Sequence, residues 1–171
     1  MIALIAEGAT EEAILKVLLN HNVLIYSYSD LLEQRVIRTR NGKEFAHKHL
    51  NKSMGEKVEI FRILDSRNEV FNLPKAYLAK VEKVTNVQTR PEVEILHIIY
   101  HDDYQSWSKS SQHSKPSSYA KSHYHNLKNI KSGTENFDFW DTHFEGLLEA
   151  LRTYKTVSYT HLRAHETRHD L

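Results

Sequence analysis

Three carboxylates fall where a strand should stop or a helix should start. Glu7 follows the apolar run Ile2 to Ala6, Asp65 follows Val58 to Leu64, and Glu94 stands with Glu92 just after Pro91, at the opening of a predicted helix. In an open α/β sheet the ligand crevice lies beyond the carboxyl ends of the strands, so acids far apart in sequence can converge there. Converging hard oxygens suit Mg²⁺ or Mn²⁺, which polarises a phosphoryl group and activates water. Each acid alone also has a plainer reading. Asp65 would cap a turn, Glu7 would cap the next helix, and Glu92 and Glu94 would be solvated partners of a helix dipole. The Gly8-Ala9 turn could offer backbone N–H groups to a phosphate, although one glycine is a far weaker signal than a P-loop.

The elements that would position these acids alternate along the chain. Ile2 to Ala6 reads as a buried strand, and Thr10-Glu11-Glu12 then gives a cap and two acids to a helix carrying Ile14, Val17 and Leu18. Val23 to Tyr26 is a candidate second strand, Leu31-Leu32 a short helix, and Val36 to Arg38 an extended piece. Phe45, Leu50 and Met54 place a helix over Gly42 to Met54, ended by Gly55. Val58 to Leu64 is a core strand that delivers Asp65. Pro74 to Val81 reads as a helix and Lys83 to Gln88 as a strand. Pro91 opens a helix running from Glu92 to about Tyr104. A helix over Phe139 to Tyr154, with Trp140, Phe144, Leu147, Leu148 and Leu151 on one face, closes the domain. This alternation predicts an α/β fold with a mainly parallel sheet flanked by helices, as one domain over residues 1–156.

Composition narrows the function classes. The 171 residues suffice for one domain with a sizeable core. With 23 Lys+Arg against 22 Asp+Glu the formal charge is +1, so any basic surface must be local. The absence of cysteine excludes a disulfide framework, a thiolate zinc site and a cysteine nucleophile, and fits a reducing compartment. The opening apolar run is too short for a signal or membrane segment, so a cytoplasmic protein with no membrane partner is expected. From Val157 the chain reads VSYTHLRAHETRHDL, which resembles a translated sequencing-library adapter. Residues 157–171 are therefore expected to be a non-native tail with no packed core, and the natural carboxyl terminus to be missing.

The segments IAEGATEEAIL, FRILDSRNE and TRPEVEIL resemble the EG-x-TE, D-x-D and P-x-F-E blocks of the Toprim-like domain. More narrowly they resemble RloB-like and related proteins found beside restriction and phage-defence genes. The resemblance covers about residues 1–125 in order and spacing. It implies metal-dependent cleavage or rearrangement of phosphodiesters, with Glu7 as the catalytic glutamate and Asp65 and Glu94 as Mg²⁺ ligands. The chain departs from the pattern at the second aspartate of D-x-D, where Arg67 stands. A cation there would repel the metal. Arg67 could contact a phosphate bidentately, Glu69 could supply the missing carboxylate, or the site could be inactive.

Ser106 to Gly133 carries Lys109, Lys115, Lys121, Lys128 and Lys131 with no acid, interleaved with Trp107, Tyr119 and Tyr124. Such a stretch can neutralise phosphates and stack bases, or can equally be a solvated lysine face. His97 and His101 have the i, i+4 spacing of metal-binding histidines but lack the H-E-x-x-H glutamate, which favours packing or surface roles. Ser110 and Ser117 have no nucleophile-elbow context. The expected function is Mg²⁺-dependent phosphodiester chemistry on nucleic acid, in phage defence, with a protein partner from a defence operon. The competing reading is a non-catalytic α/β interaction module whose acids are caps. Hydrolysis of a nucleotide or other phosphoester would use the same acids without the lysine stretch.

Overall fold

The computed structural model describes the backbone of residues 1–64, 70–110, 114–125 and 129–166, with side chains as far as Thr156. The chain groups into two compact units, Met1–Thr89 and Arg90–Leu171. The first contains β1 (Ile2–Ala6), α1 (Ala9–Asn20), β2 (Ile37–Arg38), α2 (Gly42–His49), β3 (Val58–Leu64), α3 (Lys75–Leu78) and β4 (Val81–Gln88). Its strands form one sheet in the order β2-β1-β3-β4, and every neighbouring pair is parallel. The protein is α/β with a parallel sheet, as the alternation of elements predicts.

Side-chain alternation along the strands builds two cores. From β1, Ala3 and Ile5 join Phe45, Ala46 and Leu50 around α2, while Ile2, Leu4 and Ala6 join Leu15 and Leu19 of α1. Every residue of β1 is buried, because helices cover both of its faces, and its sequence is accordingly an unbroken apolar run. β3 divides likewise, Val58 and Ile60 packing with the first core and Phe61 and Ile63 with the second. Arg62 on β3 is 1% exposed. Its Nη1 donates to Asn86 Oδ1 at 3.1 Å, and the guanidinium lies 4.2 Å over the Phe71 ring, whose π face accommodates a planar cation.

The structure corrects several boundaries. Val23 to Tyr26 is not a strand: α1 ends in a Schellman turn with Asn22 left-handed at φ 53, and Ile25 is left 89% exposed. The strand beside β1 is Ile37–Arg38 instead. α2 stops at His49 rather than Met54, because the Lys80 ammonium donates to the carbonyls of Leu50 and Lys52 at 2.7 Å each and holds the chain out of the helix.

The second unit is helical, with α4 (Ile95–Tyr100), α5 (Tyr104–Ser110), α6 (Pro116–His123), α7 (Gly133–Thr142) and α8 (Phe144–Glu166). The expected helix over Glu92 to Tyr104 is broken. Asp102 is left-handed at φ 57, and the N–H groups of Asp102 and Asp103 bond back to Ile99 and Ile98 in another Schellman turn. The expected helix over Phe139 to Tyr154 divides at His143, whose ring Nδ1 lies 2.8 Å from the Phe139 carbonyl that its own N–H also reaches. Trp140, Leu147 and Ala150 are buried in this unit. Tyr154 of α8 accepts from the Arg90 N–H and donates to the Arg90 carbonyl, both at 2.6 Å, tying the long helix to the start of the unit. The backbone of α8 continues helically through the adapter-like segment to Glu166. Among the described residues no helix is long and apolar enough to cross a membrane.

Phe45, 1% exposed between α2 and the sheet, and Ile25, 89% exposed, give opposite expectations. In urea unfolding, Phe45→Ala should lower stability by about 3–5 kcal/mol, and Ile25→Ala should stay within about 0.5 kcal/mol of the parent.

Candidate active site at the carboxyl end of the sheet

The order β2-β1-β3-β4 makes β1 the strand at which the sheet changes its direction of growth, and the crevice beside such a strand is where open α/β sheets bind ligands. β1 and β3 stay paired to their ends: Ala6 lies opposite Ile63, and the Glu7 N–H donates to the Ile63 carbonyl at 3.2 Å. On the other side Ala6 lies opposite Arg38, and the Thr39 N–H donates to the Ala6 carbonyl at 3.2 Å. Glu7, Thr39 and Leu64 are therefore level with one another at this end of the sheet, Leu64 being the last residue of β3 and opposite Gln88 of β4. Arg40 follows in one connection and Asp65 in the other. Asp65, Arg67 and Glu69 lie outside the described residues.

Glu7 is buried, its side chain only 2% exposed, and its Oε1 is 3.3 Å from Arg40 Nε. The arginine side chain is 60% exposed, so the pair joins a shielded carboxylate to a solvated cation. Glu12 repeats the arrangement, with Lys16 Nζ at 2.6 Å and Arg38 Nη1 at 3.6 Å. Thr10 and Glu11, in the first turn of α1, are 3% and 7% exposed. A carboxylate is favoured at this place by the partial positive charge of the helix start. Gly8 is extended, at φ −117, so its backbone makes no special demand. A Cβ there would meet the Glu11 carboxylate, the movable end of a flexible side chain.

The sequence places Glu7 and Gly8 at a strand end and Glu11 in the first turn of the next helix, but does not bring Arg38 and Arg40 to them. The signals were present in Glu7-Gly8-Ala9-Thr10-Glu11, where one glycine lets two acids flank a turn, and in Arg38-Thr39-Arg40, which leaves a strand with its cations two apart.

The other predicted residues belong to the second unit. Glu94 is 5% exposed and immediately precedes α4. Glu92 is a cap, though of a different helix from its own: its Oε2 accepts from the Ser117 N–H at 3.3 Å and the Ser117 hydroxyl at 2.7 Å, at the start of α6. Lys109 in α5, Lys115 at the N-cap of α6 and Lys121 in α6 are all exposed. Of the two readings of this stretch, the aromatic residues between the lysines do not favour the stacking platform. Trp107, Tyr119 and Tyr124 are only 8%, 8% and 9% exposed. Tyr119 is stacked at 3.9 Å on His123, and Tyr124 at 4.1 Å on His101, with its hydroxyl donating to Asp103 Oδ2 at 2.9 Å. Their large apolar surface draws the rings inward while the lysines stay in water.

His97 is a core residue, 1% exposed, with ring centroids 4.5 Å from Trp140 and 5.0 Å from Phe139. Asn136 fixes its tautomer. The amide nitrogen of Asn136 donates to the carbonyls of Ile130 and Ser132 at 2.8 Å each, so its Oδ1 must accept, and the His97 Nε2 at 2.8 Å carries the hydrogen. Burial brings the His97 pKa down to about 4 despite that hydrogen bond. Among the described residues no group of three or more histidines and carboxylates is placed to hold a metal ion.

Compared with protein-family models, with curated proteins and with solved structures, the chain finds no match.

His97 gives a pH dependence of definite sign. Its folded pKa of about 4 is below the ordinary 6.5. The unfolded chain therefore binds more protons between these values, and stability falls as pH drops through that window. Urea unfolding between pH 7.5 and 4.5 should show a loss of up to about 3 kcal/mol from this group. His97→Gln keeps a donor for Asn136 and should flatten the slope; an unchanged slope would assign the loss to other groups.

Proposed function

We propose that this protein is a cytoplasmic, Toprim-like enzyme that cleaves or rearranges phosphodiester bonds of nucleic acid with Mg²⁺ or Mn²⁺, in phage defence and beside a protein partner of the same operon. The observation that carries the reading is the placement of Glu7: a buried carboxylate leaving the strand at which the sheet reverses its growth, with Asp65 following the neighbouring strand. The donor chemistry fits a hard divalent cation, since Glu7 and Glu11 are carboxylates buried on either side of the Gly8 turn. Glu7 and Asp65 would hold the metal or work beside it, Glu94 is the further ligand that the resemblance implies, and the metal would supply Lewis-acid stabilisation of the phosphoryl oxygens.

Each residue of this chain then has a task. Glu7, shielded from bulk water, exchanges a proton with the attacking or leaving oxygen. Gly8 lets the Glu11 carboxylate close over the turn. Arg38 and Arg40, 56% and 60% exposed, meet the substrate phosphate, as Arg67 would from the connection after β3. The exposed Lys109, Lys115 and Lys121 of the second unit neutralise phosphates.

One observation favours a second reading, a non-catalytic interaction module. The Arg40 guanidinium already balances Glu7, and a cation next to a carboxylate competes directly with a metal for it.

Calorimetric titration of Mn²⁺ into the full chain separates the two. The enzyme reading expects saturable binding that is lost in Glu7→Gln and Asp65→Asn, weakened in Glu94→Gln, and tightened about tenfold in Arg40→Gln as the competing charge goes. It also expects Mn²⁺-dependent nicking of DNA or cleavage of RNA that disappears with Glu7→Gln. Metal binding indifferent to both Glu7 and Asp65 would leave the interaction module standing.

A further inference from the structure

We propose that the amino-terminal end of the same sheet carries a second site, a cleft beside the His49–Glu33 pair that binds a small organic anion with an apolar body. The cleft is an open depression of about 490 Å³ next to Met1 and Gly55, the residues that lead into β1 and β3. It therefore lies at the opposite end of the strands from Glu7, and the inference does not depend on the function proposed there. Leu31, Leu32 and Met54 give it apolar walls, and His49, Lys52 and Gln34 add polar groups. Small-molecule sites combine these features at volumes of about 300–1,000 Å³.

The polar wall is built. His49 is 3% exposed, and its Nδ1 lies 3.0 Å from Glu33 Oε1. Lys52 Nζ donates to the same oxygen at 3.2 Å, and Arg35 Nη2 to Oε2 at 2.7 Å. A carboxylate only accepts, so the ring nitrogen facing Glu33 carries a hydrogen. Glu33 meets two cations, and with Arg35 Nη2 at 2.7 Å on its Oε2 the Lys52 ammonium that lines the cleft does not have to neutralise it alone. Lys52 is 64% exposed and has further N–H donors for an anionic group.

The backbone adds a separate observation. Glu33 and Gln34 are both left-handed, at φ 57 and φ 50, and neither is glycine. Such residues persist only where their surroundings enforce them, and they gather at ligand sites. A turn that only connected two elements would be relieved by Gly or Asn at these positions. Here the strained pair aims the Glu33 carboxylate at the last turn of α2 and fixes the His49 ring at the cleft.

Naphthalene-1-sulfonate tests the proposal, with 1-naphthalenemethanol as its uncharged counterpart, both titrated into the full chain and followed by amide and histidine-ring NMR shifts. The expected result is one-to-one binding of the sulfonate with shifts centred on residues 31–34 and 49–54, and binding of the alcohol about tenfold weaker. Lys52→Gln should bring the two ligands within about twofold of each other. Ser53→Trp, an exposed substitution that fills the cleft without touching the Glu33–His49 pair, should abolish binding and leave the melting temperature unchanged. No saturable binding, shifts centred elsewhere, or full affinity in Ser53→Trp would each overturn the site.

Discussion

The parallel pairing of β1 with both β2 and β3 is the constraint from which the first unit follows. Parallel neighbours cannot be joined by a hairpin, so each connection must cross the sheet with a helix or a long loop. The chain leaves β1 toward β2 and must then pass back over β1 to reach β3, and right-handed crossovers send the two connections to opposite faces. That is why α1 and α2 build separate cores and why all five residues of β1 are apolar. β1, covered on both faces, carries no polar side chain, and β3 buries one, Arg62, with Asn86 and the Phe71 ring as partners. Chemistry on β1 can begin only at Glu7, where the two connections part.

A carboxylate there is costly unless it is compensated. Glu7 is compensated by Arg40, which arrives from the strand on the opposite side of β1 to the one that leads to Asp65. The asymmetry of the pair matters: the acid is shielded and the arginine solvated. A fully buried pair would be locked, since removing either partner strands the other charge in a low dielectric. A half-solvated arginine can swing to a phosphate or yield to a metal at small cost, because water rehydrates it. Glu12 with Arg38 and Lys16 sets the same pattern on the rim. The rim therefore sets solvated cations beside more shielded acids.

How much of this could be read from the sequence depends on how local each signal was. β1 and β3 were legible because burial imposes an apolar run and an apolar alternation respectively, both ended by an acid. The turn at Gly8 was legible for the same reason. The strand boundary at Ile37 was not, because two residues of pairing leave almost no pattern, whereas Val23 to Tyr26 has β-rich composition and no partner. The end of α2 is set by Lys80, thirty residues on from Leu50, and no local feature near Met54 announces it. The left-handed residues that end α1 and α4 are Asn22 and Asp102, whose short polar side chains tolerate that conformation, so the usual glycine signal is missing. Arg40 escaped because an ion pair between neighbouring parallel strands joins residues more than thirty apart.

The second unit separates two properties that lie interleaved in its sequence. Histidine and tyrosine act there as flat packing units: His101 and Tyr124, and His123 and Tyr119, stack at 4.1 and 3.9 Å, and Tyr100 meets His143 edge-on at 5.6 Å. A neutral imidazole is a thin aromatic plate with two polar edges, and where Asn136 satisfies one edge, as at His97, it can sit wholly inside a core. The lysines between these rings stay in water. With the rings already stacked on one another, the exposed surface offers charge without a platform for bases. A nucleic acid meeting Lys109, Lys115 and Lys121 would be held through its phosphates, in a contact that releases counterions, weakens steeply with salt and carries no base preference of its own.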